Sequence, residues 1–253
     1  MSNRFITAPG RVLAPAIAVA VLAGADPVLA SPYEVGDTDI GTGWKVKMQV
    51  ARFRAGDMLG WTHPELEVGR GLTESLEIAA GTGYGRIETE GGPRRYGHQD
   101  VRVALKWRLR QASPGSIGIA FEPDLTLPTG DRAAGTGGED VQLALPVRLS
   151  RSFGPGRLTG QLAYRHAFAD DGRTLSMGAL YEHEVAAGLW AGVEVLHDRD
   201  LGTDGGRERR AAIGLRWQRS EQLMLFGALG KGRHPDDAEA SSSARIGIEY
   251  VFD

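Results

Sequence analysis

The chain has 253 residues, with 29 lysines and arginines, 32 aspartates and glutamates, and a formal net charge of −3. Nucleic-acid binding normally requires a strong basic excess, so nucleic acid is not an expected partner. With no cysteine, the chain forms neither disulfides nor thiolate metal sites. Its 36 glycines are about twice the usual share of roughly 7%, which indicates many tight turns or closely packed strands.

The first thirty residues have the pattern of a cleaved signal peptide. Two arginines precede an apolar run from Val12 to Ala25, and small or apolar residues precede a cleavage site after Ala30. Cleavage after Ala25 is the alternative site. A transmembrane anchor is the other reading, but a run of about 14 residues is shorter than the roughly 20 that a spanning helix needs. The predicted organisation is a signal peptide at 1–30, a short periplasmic segment at 31–43 and one domain at 44–253.

The rest of the chain repeats runs of about ten residues in which apolar and polar side chains alternate. In residues 101–109, for example, valine, leucine and tryptophan occupy every odd position. Successive side chains on a strand point to opposite faces, so each run is a strand with one apolar face. Two runs are the weakest predictions. Pro64 interrupts the second run, and in the eleventh run Met224 and Phe226 place apolar residues in both phases. The twelve runs are 44–53, 61–70, 74–84, 99–110, 116–127, 139–151, 157–168, 173–184, 189–198, 208–218, 223–231 and 243–252.

The connections between these runs alternate in length. Short ones occur at 69–72, 111–115, 153–156, 185–188 and 219–222, and long polar ones at 85–98, 128–138, 199–207 and 231–242. Outer-membrane barrels have short periplasmic turns and longer extracellular loops, whereas a soluble Greek-key sandwich does not alternate in this way. We therefore predict an all-β protein: an antiparallel, up-and-down transmembrane β-barrel of twelve strands in the bacterial outer membrane.

In such a barrel the apolar face meets lipid and the polar face lines the lumen, the reverse of a soluble barrel. The predicted lumen set carries both charge signs, which favours a ladder of ion pairs. The alternative is that the basic residues around Arg102 and Arg148 outnumber their acidic partners. That would leave a positive potential on this part of the lumen wall, where it could attract a solute. Inward glycines and alanines leave room for a narrow pore, or for a plug made of the long loops or of residues 31–43. The candidate pore-lining residues are Arg102, Lys106, Arg108, Glu122, Asp124, Arg148, Arg165 and Arg216.

Catalysis is not expected. His166 falls in the apolar phase of its strand, whereas Ser176, the nearest serine across the hairpin, falls in the opposite phase. A nucleophile and its base must lie within hydrogen-bond reach, which opposite faces prevent. The acidic run Asp236, Asp237 and Glu239 fits a solvated loop better than a cation site. The sequence therefore predicts no enzyme, no catalytic residue, no cofactor and no metal site.

The segment DVRVALKWRLRQASPGSIGIAFEPDLTLPTGD (100–131) resembles a family of outer-membrane proteins named for the meta-pathway of phenol degradation. The residues that carry the resemblance are Asp100, Lys106, Trp107, Arg108, Leu109, Leu127, Pro128, Thr129, Gly130 and Asp131. The resemblance implies an outer-membrane channel for small, often aromatic or hydrophobic compounds, with no catalytic residues. One departure is the terminal Asp253, since such barrels usually end on an aromatic residue that the assembly machinery recognises.

These observations predict a monomeric outer-membrane channel or uptake pore for small aromatic or hydrophobic molecules. Its expected partners are outer-membrane lipid and lipopolysaccharide, the barrel assembly machinery and a small-molecule solute. The alternative is a structural or surface-binding barrel that transports nothing and whose loops contact a partner.

Overall fold

A computed structural model describes residues 32–113, 115–169, 172–202, 206–233 and 240–252. The predicted signal peptide and the acidic run at 236–239 lie outside the described residues. Within the described part, no helix has the length and apolar character needed to cross a membrane. The strands are β1 (Gly43–Ala55), β2 (Met58–Thr73), β3 (Leu76–Thr89), β4 (Arg95–His98), β5 (Val101–Arg110), β6 (Gly118–Phe121), β7 (Asp124–Leu127), β8 (Gln142–Phe153), β9 (Gly156–Ala167), β10 (Arg173–Ala186), β11 (Leu189–Asp200), β12 (Arg207–Gln218), β13 (Leu223–Arg233) and β14 (Ala240–Phe252).

These strands form one closed antiparallel sheet. The last strand pairs with the first along its whole length, from Trp44 opposite Phe252 to Ala55 opposite Ser241. Two barrel strands are interrupted: β4 and β5 both pair with β3, and β6 and β7 both lie between β5 and β8. Each of these pairs counts as one barrel strand. The predicted up-and-down barrel of twelve strands is therefore confirmed.

The two ends of the barrel differ in their connections. One end, called the turn end, has two-residue turns at 74–75, 154–155 and 187–188. The other, called the loop end, also has a two-residue turn at 56–57 but carries the long connection at 128–141. Residues 85–98, predicted to be a loop, are instead mostly a hairpin, because β3 continues to Thr89 and β4 begins at Arg95. The prediction missed this because the alternation reverses: Ile87 is 3% exposed and faces inward. Beyond the lipid the outer surface meets water, so polar residues take the outward phase there.

The two predicted weak strands both form. β2 is continuous because a register shift between Thr62 and Glu65 leaves Pro64 out of the pairing with β3. On β13, Phe226 points inward and is 3% exposed. Its ring lies over Gly247 of β14, where an added Cβ would be 2.3 Å from Phe226 Cζ. An aromatic residue in the lumen explains why the apolar phase of this strand is blurred in the sequence.

Along the barrel, apolar side chains point outward and charged side chains point inward. Ile246 and Leu229 are 68% and 62% exposed, whereas Lys47 and Arg148 are 2% and 1% exposed. This arrangement is the reverse of a soluble protein and is stabilised only when the outer face meets lipid. The predicted phase of the strands is therefore confirmed.

Aromatic side chains lie near both edges of the apolar belt. At the loop end, Tyr84 and Phe168 point outward and are exposed. Trp61 also faces outward there, with its ring centre 5.5 Å from the guanidinium carbon of Arg52 and 5.4 Å from that of Arg86. At the turn end the outward aromatic residues include Trp44, Trp107, Phe153, Tyr181, Trp217, Tyr250 and Phe252. Such belts mark the two membrane–water interfaces.

Which end faces the cell surface stays a prediction, and the absence of cysteine makes it simple to test. Ala133, in the connection between β7 and β8 at the loop end, and Ala187, in the turn between β10 and β11 at the turn end, are both exposed. Because long loops are extracellular in such barrels, Ala133→Cys should react with a membrane-impermeant maleimide on intact cells. Ala187→Cys should react only after the outer membrane is opened. Labelling of Ala187→Cys alone on intact cells would show that the orientation is reversed.

Candidate functional site

The lumen contains all eight residues predicted to line it. Six of them lie on one wall, made of β5, β6, β7 and β8, and the other two lie on β9 and β12. On each strand they take the phase opposite to the exposed apolar residues. The residues placed inward are Arg102, Lys106, Arg108, Glu122, Asp124, Arg148, Arg165 and Arg216.

The arginines at the centre of this wall have acidic partners. Arg102 forms an ion pair with Asp124, and Arg148 forms one with Glu122. Arg148 Nε also donates a hydrogen bond to Gln161 Oε1 at 2.7 Å. Arg102 and Arg148 therefore both have acidic partners, which agrees with the ladder interpretation rather than with the alternative of unequal pairing. Burial explains the pairing, since a buried charge without a partner is strongly destabilising.

Two other predicted residues also have structural contacts. Arg108 donates a hydrogen bond to the carbonyl oxygen of Glu74 in the turn between β2 and β3. Arg216 Nε lies 2.9 Å from Glu182 Oε1 on β10. Arg165 is half-buried in the lumen. The ladder interpretation of the lumen charges therefore describes most of this set.

Residues 32–42, called here the inner segment, run inside the barrel. Tyr33, Val35 and Thr38 are at most 1% exposed. The segment enters the lumen at the turn end, where Gly43 begins β1. It belongs to the stretch predicted to be a short periplasmic segment, and it occupies lumen space next to small inward residues. Its sequence signal is charge: it has three acidic residues and no basic one.

Two of these acidic residues bind the wall near the turn end. Asp37 Oδ1 lies 2.5 Å from Lys106 Nζ, and Asp39 Oδ2 lies 2.7 Å from Arg157 Nη1. Burial alone would raise the pKa of Asp37, but the positive charges of Lys106 and Arg157 outweigh it and hold that pKa below its usual range. A carboxyl with a lowered pKa loses its charge only when the pH falls through that lowered value. We therefore expect mild acid to leave the contact between Asp37 and Lys106 intact.

The third acidic residue binds the wall on the far side of the lumen. Glu34 Oε2 accepts a hydrogen bond from Arg210 Nη1 at 2.6 Å, and Arg210 also pairs with Asp198. The backbone N–H of Val35 donates to Glu194 Oε1 at 2.5 Å. Since Lys106 lies on β5 and Arg210 on β12, the inner segment crosses the lumen from one wall to the other.

Two large side chains of the inner segment pack against the barrel wall at positions where the wall has glycines. Tyr33 and Val35 form a buried cluster with Leu180 and Leu196. An added Cβ on Gly192 would lie 2.5 Å from Tyr33 Oη, and one on Gly178 would lie 2.5 Å from Val35 Cγ2. Side chains at these positions would displace the segment. The absence of side chains at Gly178 and Gly192 therefore makes room for the inner segment.

Above the inner segment, a cavity opens at the loop end. It is open to solvent and is called here the vestibule. Glu34 of the inner segment contributes to its floor. Many of its wall residues are small, and Gln49 Nε2 donates to Glu65 Oε2 across the wall at 2.7 Å. Its lining includes Phe53, Gly81, Gly83, Arg102, Leu196, Gly230, Gly232 and Arg245.

Three residues of the family resemblance, Asp100, Thr129 and Gly130, meet at the mouth of the vestibule. Asp100 Oδ1 accepts a hydrogen bond from Gly130 N, and Oδ2 accepts one from Gly138 N, both at 2.7 Å. Val101 N donates to Thr129 Oγ1 at 2.9 Å. These bonds hold the connection between β7 and β8 over the lumen, so that Gly138 lines the vestibule. The lysine of the same motif, Lys106, holds the inner segment.

The serine and histidine considered for catalysis lie on opposite faces, as predicted. Ser176 Oγ donates a hydrogen bond to Asp198 in the lumen. His166 faces outward and stacks edge-on with Phe168, with ring centres 4.5 Å apart. These two residues therefore do not form a nucleophile–base pair. Among the described residues, no cluster of histidine and acidic side chains has the arrangement of a metal site.

No family model matches the chain, and no curated protein matches it either. Solved structures match over most of its length. An outer membrane channel from Pseudomonas putida F1 has a TM-score of 0.64 at 15% identity, over 86% of this chain and 98% of that one. The chain is a bacterial outer-membrane β-barrel. The NanC porin matches with a TM-score of 0.59 at 9% identity, over 82% and 100% of the two chains.

A third outer-membrane structure, the CymD monoaromatic hydrocarbon channel, has a TM-score of 0.50 at 10% identity. The match covers 92% of this barrel and 97% of that channel. At such low identities the likeness establishes the fold and not the solute. The closed barrel, its apolar belt and these neighbours together place the chain in the bacterial outer membrane.

Proposed function

We propose that this barrel is a channel for small solutes and that the inner segment controls the passage. The observation that carries the proposal is the floor of the vestibule. The inner segment, which is not a strand of the barrel, forms part of that floor and crosses the lumen below it. Hydrogen bonds and ion pairs that water can replace hold much of this segment. Its withdrawal would connect the vestibule to the turn end.

The wall beneath the inner segment supports a passage of useful width. Gly178, Gly192 and Gly214 lie on the neighbouring strands β10, β11 and β12 and contact Tyr33 or Val35. Without the segment these glycines would face open lumen. A twelve-stranded barrel also lies between eight-stranded barrels, whose interiors side chains fill, and sixteen-stranded porins, which hold an aqueous channel.

We propose small aromatic or hydrophobic molecules as the solutes. The vestibule offers them Phe53 and glycine-rich walls as apolar surface. The sequence resemblance over residues 100–131 implies the same solute class. The fold is also similar to that of a channel for monoaromatic hydrocarbons.

Uptake into liposomes tests whether the barrel is a channel and whether it prefers aromatic solutes. The purified full chain is reconstituted, and entry of benzenesulfonate, an aromatic anion that stays ionised, is compared with entry of gluconate, a monovalent anion without an aromatic ring. We expect benzenesulfonate to enter several-fold faster than gluconate, and neither to enter protein-free vesicles at a comparable rate. Equal rates for the two anions would refute the aromatic preference but keep the channel. If neither anion enters faster than it enters protein-free vesicles, the channel proposal fails.

A further inference from the structure

A row of cationic side chains lies on the outer face of the barrel at the loop end. His197, Arg209 and Arg233 stand directly opposite one another on β11, β12 and β13. The next rung places Arg199 opposite Arg207. These residues have the same phase as the outward valines, leucines and isoleucines of their strands. The four arginines are exposed, and His197 is half-buried.

This row has no anionic partner among the described residues. In the part of the chain that the structure describes, no carboxylate forms an ion pair with Arg209 or Arg233. The nearby acidic residues Asp198 and Glu208 face the lumen and interact there with Arg210. Like charges directly opposite each other on neighbouring strands are destabilising. An anion bound from outside would remove that repulsion.

A groove adjoins the cationic row on the side of the membrane. Its floor contains the small residues Ala179 and Ala211, and Met177 and Val195 form its apolar sides. Val195 is 53% exposed and Met177 is 45% exposed, so both face lipid. His197, Arg209, Lys231 and Arg233 line the groove together with these apolar residues. An occupant therefore needs hydrocarbon at one end and several negative charges at the other.

We propose that this groove binds lipopolysaccharide, with the phosphates of its lipid A against Arg209 and Arg233. Several acyl chains attached to a headgroup with two phosphates match the apolar floor and the cationic row. Charge-assisted bonds from arginine to phosphate are the strong kind of hydrogen bond. The outer leaflet contains this lipid, which agrees with the loop end facing the cell surface.

Binding of purified lipids to the full chain in detergent, followed by native mass spectrometry, tests the proposal. The variant Arg209→Gln/Arg233→Gln removes the two central cations. The matched control, Arg70→Gln/Arg151→Gln, removes the same net charge from outward arginines at the turn end. We expect the affinity for bis-phosphorylated lipid A to fall about tenfold or more in the first variant, because charge-assisted contacts are lost. The control should bind as the unmodified chain does.

Two further lipids and the control variant distinguish a specific lipopolysaccharide site from a general anionic-lipid surface and from an effect of bulk charge. Dephosphorylated lipid A should bind the unmodified chain about as weakly as the first variant binds the phosphorylated form. Equal binding of both forms would overturn the role of phosphate. Equal affinity for phosphatidylglycerol would show a general anionic-lipid surface and overturn the assignment to lipopolysaccharide. An equal loss in the Arg70→Gln/Arg151→Gln control would show that only bulk charge matters.

Discussion

Replacement of Val147 by arginine should lower the free energy of unfolding of the barrel in lipid by about 2–4 kcal/mol. Val147 lies midway along β8, points outward and is 41% exposed, so the new charge would sit near the centre of the bilayer. Reversible urea unfolding in lipid vesicles measures the change. Ala144→Ser on the same strand is the control, because Ala144 faces the polar lumen. Losses of equal size in the two variants would show that the two faces of β8 do not differ in environment.

Replacement of Arg148 by alanine should destabilise the barrel by about 3–5 kcal/mol. Arg148 is 1% exposed, and its loss would leave Glu122, itself 5% exposed, without its cationic partner. Urea unfolding of the purified barrel measures this cost. The double variant Arg148→Ala/Glu122→Gln should recover part of it, because the stranded negative charge is then absent. A single variant that costs less than about 1 kcal/mol would place the pair in water rather than in a buried ladder.

Strand positions and faces follow from the sequence because lipid imposes a strict rule on every second residue. Residues 101–109 show this rule without exception, and the structure places them as predicted. Outward residues need to be apolar only along the part of each strand that contacts lipid. Arg86, Ile87 and Glu88 lie beyond the apolar belt, where the outward face meets water. The alternation there has the opposite phase, so the sequence pattern predicts a loop.

The candidate site was predicted only in part, because its key element obeys no periodic pattern. The lumen side of β5 and β8 was predicted correctly, including Lys106 and Arg148. The inner segment has no alternation, and its place depends on charges that are far away in sequence. Glu34, for example, pairs with Arg210, 176 residues later in the chain. Such a contact becomes predictable only when the fold brings the basic side chains of the lumen together.

A reversible cross-link between the inner segment and the wall tests the gating channel most directly. Thr38 Oγ1 and Ser150 Oγ lie 2.5 Å apart, close to the roughly 2.05 Å between the sulfurs of a disulfide. The variant Thr38→Cys/Ser150→Cys should therefore oxidise readily in this otherwise cysteine-free chain. Thr38→Cys alone is the control for the substitution itself.

Single-channel conductance of this variant is measured in planar bilayers before and after a thiol reductant is added. We expect the oxidised protein to stay closed, because the segment cannot leave the lumen. After reduction it should show the same conductance steps as the unmodified chain and the Thr38→Cys control. Steps of equal size in the oxidised and reduced states, or no steps in either state, would contradict a passage that the inner segment controls.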